Sequence, residues 1–217
     1  MNINKNTLLF GSFSIKAGNV GCKLFNTCFQ YHEINAIYKS FSIKNISDAI
    51  ISAKCLNFSG FAVSMPFKTD IIQYLDEVDE IVKKTQSCNT VINKGSKLYG
   101  YNTDYTAVKS YLLDHLNDFT INKIFILGNG SYSGTVQICC KELNIEFEVI
   151  TRKNWYKIQS IKNGVIFNCT PVENIIFDPT NLFIDCINTT ETGKDLAKRQ
   201  AAIQYKLYTG KEFPLKI

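Results

Sequence analysis

The chain reads as an α/β protein of two lobes, an N-terminal α/β lobe followed by a reduced Rossmann-like lobe. Three features carry that reading. Strand and helix periodicities alternate almost from end to end, as in mainly parallel sheets covered by helices. A buried-type strand, Lys123 to Leu127, runs straight into Gly128-Asn129-Gly130 and a helical stretch. The 217 residues, 45% hydrophobic and 20% charged, suffice for a real core but are short for two full-sized domains.

Residues 7–10 open as a strand, and residues 18–31 carry helical spacing through Val20, Leu24, Cys28 and Tyr31. Residues 36–41 alternate as a strand. Residues 47–56 follow as a helix capped by Ser47 or Asn45. A short apolar strand, 58–65, stops at Pro66, and a helix is predicted over 76–84. Strands 90–93 and 97–101, joined by Lys94-Gly95-Ser96, give a hairpin signal. Residues 104–115 are helical and mark the boundary between lobes. Past the glycine turn, 131–143 is a helix, and 147–150, 164–168 and 182–187 are strands. A helix over about 194–208 closes the chain. The organisation expected is a first domain, 1–104, with helix 193–208 packed back on it. A Rossmann-like domain, 105–190, would follow it.

Composition narrows the function. No apolar run approaches the roughly 20 residues of a membrane-spanning helix. Residues 1–6 show no apolar stretch before a cleavage site, so a cytoplasmic location and no membrane partner are expected. The net charge is +5, yet the lysines are scattered, with Lys83-Lys84 the densest run. Nucleic-acid binders gather basic residues on one face, so no nucleic-acid partner is expected. All but two of the 24 basic residues are lysine, which singles out Arg152 and Arg199 for tasks such as bidentate phosphate recognition. Eight cysteines form no CxxC pair, and with two histidines no metal-ligand spacing arises. Buried, reduced cysteines and no metal are expected.

Gly128-Asn129-Gly130-Ser131-Tyr132-Ser133-Gly134 follows a strand and opens a helix, the setting in which a GxGxx turn binds a dinucleotide. Glycine permits the tight turn, and the backbone N–H groups at the helix start suit a pyrophosphate. Dinucleotide folds that take NAD end the next strand with an acid for the ribose hydroxyl. This chain has Thr151-Arg152-Lys153 there, a cationic pair suited to the 2′-phosphate of NADP.

In the first lobe, Val63-Ser64-Met65-Pro66-Phe67-Lys68, Ser87-Cys88-Asn89-Thr90 and Asn102-Thr103-Asp104 place polar groups at element ends, where α/β sheets bind ligands. In these segments the chain resembles the shikimate dehydrogenase family. Its ordered motifs are matched by residues 62–68, Asn89-Thr90, 102–104, 128–133, 151–153 and Asn168-Cys169-Thr170-Pro171. Gln200-Ala201-Ala202-Ile203-Gln204-Tyr205, followed by Tyr208-Thr209-Gly210, is similar to the family's closing helix.

The resemblance implies NADPH-dependent interconversion of 3-dehydroshikimate and shikimate, on the way to chorismate and the aromatic amino acids, by a monomer or homodimer. Quinate dehydrogenation, or a weakly active ligand-binding homologue, stands as the alternative. Lys68 and Asp104 match the catalytic pair: the ammonium would stabilise and protonate the oxygen that gains charge, and the carboxylate would orient it. Lys68 follows Pro66, a favoured first helical residue, so its ammonium is expected at the positive end of a helix dipole. Gln200 and Asn89 match substrate contacts, and Ser64 stands at the family's threonine. NADP binding falls to Gly128, Asn129, Gly130, Ser131, Tyr132 and Ser133, to Thr151, Arg152 and Lys153, and to Asn168, Thr170 and Pro171.

Two departures accompany the resemblance. The family's serine-x-serine pair, which holds the substrate carboxylate in the first loop, aligns with Asn19 and Gly21. Ser12 and Ser14 form such a pair several residues earlier, so Ser12, Ser14, Lys16 and Asn19 are candidates for that role. This loop and Ala62-Val63-Ser64-Met65-Pro66-Phe67-Lys68 look like the shikimate dehydrogenase-like subgroup. The second departure lies between Phe177 and Gln200, where a Y-x-P segment and a helix of the family are missing.

Overall fold

The computed structural model describes residues 3–116 and 123–214. The chain divides into two compact units, residues 1–103 with 202–217, and residues 104–201. Met1 and Asn2, part of the segment read for a leader, lie outside the described residues.

The first unit is built on a six-stranded sheet. Its strands are β1 (Leu8–Ser14), β2 (Ala36–Ser42), β3 (Gly60–Val63), β4 (Glu77–Val78), β5 (Thr90–Lys94) and β6 (Lys97–Tyr101), in spatial order β2-β1-β3-β5-β6-β4. β1 runs parallel to both β2 and β3, while β5 is antiparallel to β3 and β6, so the sheet is mixed. Alternation along β1 sends Phe10 and Phe13 to opposite faces. Phe13 enters a core with Phe58, Phe61 and Ile71, supplied in part by α2 (Ile46–Cys55). Phe10 packs instead on Phe29 of α1 (Val20–Tyr31) and on Tyr208 of α6 (Glu191–Thr209), at ring separations of 5.3 and 4.8 Å. A β-carbon on Gly60 would lie 2.9 Å from the Tyr208 ring, so glycine lets α6 seat on β3.

The second unit carries a four-stranded parallel sheet of β7 (Lys123–Leu127), β8 (Glu146–Ile150), β9 (Val165–Asn168) and β10 (Leu182–Asp185), ordered β10-β9-β7-β8. α4 (Thr103–Leu116) precedes it, and α5 (Ser131–Glu142) crosses from β7 to β8. Leu127, Ile150, Ile158, Ile161 and Ile166 form one of its cores. Arg199, one of the two arginines, is spent inside this unit: it pairs with Asp114 of α4 and Asp195 and bonds the Ser110 hydroxyl.

Three local expectations are corrected. The strand read as 7–10 continues to Ser14, because β2 and β3 ladder onto both of its edges. Ser12 and Ser14 therefore stand on a strand, not in a loop. The helix read over 76–84 is only α3 (Glu80–Thr85): Asp76 accepts from the Leu98 N–H at 2.8 Å, and Asp79 caps α3 by accepting from the Val82 N–H at 2.7 Å. No α-helix begins at Pro66. Residues 65–69 form turns that lead into a five-residue 3-10 helix, Asp70–Tyr74, so no helix dipole reaches Lys68. Among the described residues no helix is long and apolar enough to cross a membrane.

Candidate functional site

In the first unit a buried polar network fixes the residues around Lys68. The Asn89 carbonyl oxygen Oδ1 accepts from the Thr90 hydroxyl (2.9 Å), the Thr103 N–H (2.9 Å) and the Thr103 hydroxyl (3.1 Å). With that oxygen committed, the amide Nδ2 is the polar group Asn89 has left to offer. Behind it, Gln204 donates Nε2 to the Thr90 hydroxyl, and Asn102 donates Nδ2 to the Thr85 hydroxyl, both from buried positions. The Lys68 turn is tied to the segment before β5, since the Cys88 N–H donates to the Lys68 carbonyl at 2.8 Å. Burial pushes the Cys88 thiol up to about 12, and the charge of Lys68 opposes that shift. The backbone of Lys68 is thus held to the residue that precedes Asn89.

The carboxylate candidates are differently placed. The Ser12 hydroxyl is hydrogen-bonded to the Tyr38 phenol, whose burial pushes its proton affinity up. Gly21, at one of the family's serine positions, has its open side against that ring: a β-carbon there would lie 3.1 Å from Tyr38 Cε1. Tyr38 from β2 therefore fills the space a side chain at 21 would need, a substitution invisible to spacing alone. Asn19 sits exposed at the N-cap position of α1 and makes no capping bond, and Lys16 is exposed. Ser14 ends β1 and Ser64 is exposed just past β3. Gln204, which the sequence reading passed over, becomes visible only once α6 meets β5.

In the second unit Asp104 is buried in the first turn of α4. The Tyr132 phenol is held well above its usual range, chiefly by burial and further by the charge of Asp104. Gly128 adopts φ +100, and a β-carbon there would lie 2.7 Å from Thr170 Cγ2. Its N–H donates to the Ile150 carbonyl, and the buried Ser133 hydroxyl donates to the Gly128 carbonyl, both at 2.8 Å. Ser133 is thus a brace for the turn. Gly130 caps α5 with no side-chain bond, so no cap side chain covers the start of this twelve-residue helix, the kind of terminus that suits an anion.

Thr151 caps the 3-10 helix that follows β8, with Asn154 completing a capping box, and this presents Arg152 and Lys153 at the carboxyl end of β8. Both are exposed and pair with no carboxylate among the described residues. Asn168 plays a different part from the one expected. It donates Nδ2 to the Val172 carbonyl and to Asp185, and accepts on Oδ1 from the N–H and hydroxyl of Thr170. Fully buried and fully used, it shapes the Thr170-Pro171 loop and has nothing left for a ligand. Gln200 is partly buried on α6. The open glycine turn, the uncapped helix and the cationic pair fit a phosphorylated dinucleotide.

A sequence profile of the shikimate dehydrogenase substrate binding domain matches residues 19–91. A shikimate dehydrogenase-like protein of Haemophilus influenzae is 34% identical over 153 residues, 70% of this chain and 56% of its own length. The NADP(+) shikimate dehydrogenase of Clostridium beijerinckii is 31% identical over 180 residues, 69% of this chain and 62% of its own. The chain therefore spans about 56–62% of these relatives' length. The fold is shared with the solved structure of a shikimate 5-dehydrogenase-like protein (TM-score 0.82, 24% identity, 97% of this chain and 94% of that one). It is also shared with the enzyme of Listeria monocytogenes in complex with shikimate and NAD (0.77, 19%, 99% and 96%). The enzyme of Thermus thermophilus, in complex with NADP(H) and shikimate, has it as well (0.80, 16%, 94% of each). The fold and the two sites define an α/β protein with a mixed N-terminal sheet and a second, all-parallel sheet. This chain belongs to the shikimate dehydrogenase family.

Proposed function

We propose that the chain is a cytoplasmic NADPH-dependent dehydrogenase that reversibly reduces 3-dehydroshikimate to shikimate, in the route to chorismate and the aromatic amino acids. The observation that carries this reading is the buried network that fixes Asn89 through its Oδ1, next to Cys88, whose N–H holds the Lys68 turn. Three donors on that one oxygen fix the orientation of the side chain and leave the amide Nδ2 for a ligand hydroxyl.

The dinucleotide, when bound, supplies a hydride to the substrate carbonyl carbon. Lys68 stabilises and protonates the oxygen that gains charge. Asp104, Asn89 and Gln200 take the ring hydroxyls. Asn19, Lys16, Ser12 and Ser14 serve the carboxylate side, with the last two held on β1, and Ser64 is a further substrate contact. Gly128, Asn129, Gly130, Ser131, Tyr132 and Ser133 frame the pyrophosphate, and Arg152 and Lys153, presented by Thr151, take the 2′-phosphate. Thr170 and Pro171 border the turn, and Asn168 shapes their loop.

A second reading, a homologue that holds ligand and turns over slowly, is favoured by one feature. β10 ends at Asp185 and α6 begins at Glu191, where the family places a further helix and loop. Shikimate and quinate offered in parallel with NADP+, followed through NADPH absorbance, decide. Turnover on shikimate upholds the first reading, a preference for quinate moves the substrate, and binding without turnover establishes the second.

A further inference from the structure

A groove of about 360 Å³ opens in the first unit between α2 and the outer strand β2. Its volume falls in the roughly 300–1,000 Å³ of small-molecule sites. None of the residues that line it belongs to the candidate substrate or dinucleotide contacts. The floor is aromatic: Phe13 of β1 and Phe58 are buried there, Phe41 of β2 is partly buried, and the three rings stand 5.8–6.0 Å apart. One wall is a stripe of α2 and its cap, where Asp48, Ser52 and Leu56 recur at four-residue spacing with Ala49 and Ala53 beside them. The small side chains of Ala49, Ser52 and Ala53 leave the middle of that wall open, and Leu56 stands 64% exposed at its carboxyl end.

The charges of the groove sit together at its other end. Lys44 precedes the Asn45 cap, and Asp48 lies in the first turn of α2. Both are exposed, and neither is in an ion pair among the described residues. Asp48 Oδ2 accepts from Asn45 Nδ2 at 2.8 Å, which fixes the carboxylate at the rim. A ligand therefore meets one cation and one anion side by side, with apolar surface running away from them. Its own charges must be neighbours, as they are on an α-carbon, and the rest of it must be apolar.

We propose that this groove is a binding site for a free α-amino acid with an aromatic side chain. The ring lies on Phe13, Phe41 and Phe58, where edge-to-face contacts add to burial. Lys44 takes the carboxylate and Asp48 the ammonium, so each charge meets its opposite. Ion pairs at an exposed rim contribute little, and the ring carries most of the binding. The site lies wholly in the first unit and does not depend on the dehydrogenase reading.

The test titrates the full chain with L-phenylalanine by isothermal calorimetry. L-alanine, 3-phenylpropionate and 2-phenylethylamine serve as probes that lack the ring, the ammonium and the carboxylate. L-phenylalanine should bind and L-alanine should not. Lys44→Gln should weaken L-phenylalanine about two- to fivefold and leave 2-phenylethylamine unchanged. Asp48→Asn should weaken it to a similar extent and leave 3-phenylpropionate unchanged. Ser52→Tyr, at an exposed helix position, fills the groove and should abolish binding while circular dichroism stays that of the parent. No binding to the parent, or binding that survives Ser52→Tyr in the folded protein, would overturn the site. Equal affinity for the three aromatic probes, untouched by Lys44→Gln and Asp48→Asn, would overturn the amino-acid assignment. A parent that is dimeric by light scattering, and that Ser52→Tyr makes monomeric, would give the groove to a second copy and overturn the ligand.

Discussion

Gln204 donates its side-chain amide to the Thr90 hydroxyl at 2.8 Å, and both residues are buried. Thr90 donates in turn to the Asn89 side-chain oxygen, so one chain of hydrogen bonds runs from the closing helix to Asn89. The helix thereby orients a candidate substrate contact without touching it.

Thr90→Val keeps the shape and removes the hydroxyl. The Gln204 amide is left buried without its acceptor, and stability should fall by about 1–3 kcal/mol. Urea unfolding measures the loss. The same variant should raise the KM for shikimate more than it lowers kcat, because Asn89 loses one of the three donors that set its orientation.

The glycines of the turn are not equivalent. Gly128→Ala puts a β-carbon 2.7 Å from Thr170 at φ +100, and should cost about 1–3 kcal/mol together with NADPH binding. Gly134→Ala meets nothing within 4 Å on α5 and should instead stabilise by about 0.5–1 kcal/mol. Thermal melts of the two variants, moving in opposite directions, check both.

Removing Arg152 and Lys153 together should weaken NADPH binding by roughly tenfold or more while leaving NADH nearly unchanged, since a charged hydrogen bond contributes about 1.5–3 kcal/mol. Fluorescence titration with the two dinucleotides measures the difference. Equal losses for both would remove the 2′-phosphate from the assignment.

Asp185 is held above the usual carboxylate range by burial, against the bonds it accepts from Asn168 and the Ile187 N–H. A carboxyl whose folded pKa is raised binds its proton more tightly folded than unfolded. Its contribution is therefore full below the unfolded pKa, near 3.8, and is lost as pH rises through the folded value. Asp185→Asn keeps an acceptor and cannot ionise, so between pH about 4 and 6 its stability should decline less, or rise more, than that of the parent. Urea midpoints across that range show the sign.

Local signals were readable where backbone chemistry is local. The hairpin turn holds Gly95 at φ +59 and Ser96 at φ +69, and Gly128 sits in the conformation its strand-to-helix turn demands. Asn45 caps α2 by accepting from the Asp48 N–H at 2.9 Å, one of the two caps its sequence offered. Elsewhere ladder and tertiary bonds override local pattern. Gly11, Ser12 and Ser14 resemble loop residues but are extended because β1 is paired on both sides. Asp76 and Asp79 sit in a helical pattern, yet each takes a backbone N–H that holds the chain off the helix until Glu80.

The site followed the same division. Lys68, Asn89, Asp104 and the glycine turn stand at element ends that spacing could locate. Gln204 and Tyr38 act through partners more than ten residues away, with Thr90 at a separation of 114, so no window on the sequence reveals them. Asn168 looked like a cofactor contact because its motif borders the turn; its hydrogen-bonding capacity is consumed within the loop.

The central claim, that Lys68 is the proton donor of a dehydrogenase, is tested most directly by the kcat of Lys68→Ala against the parent with shikimate and NADP+. The backbone bond from Cys88 to residue 68 survives the change, so the fold should persist by circular dichroism. A kcat lowered by about 10²–10⁴-fold, with shikimate still bound, is the result this mechanism requires. A variant that turns over shikimate as fast as the parent would contradict it.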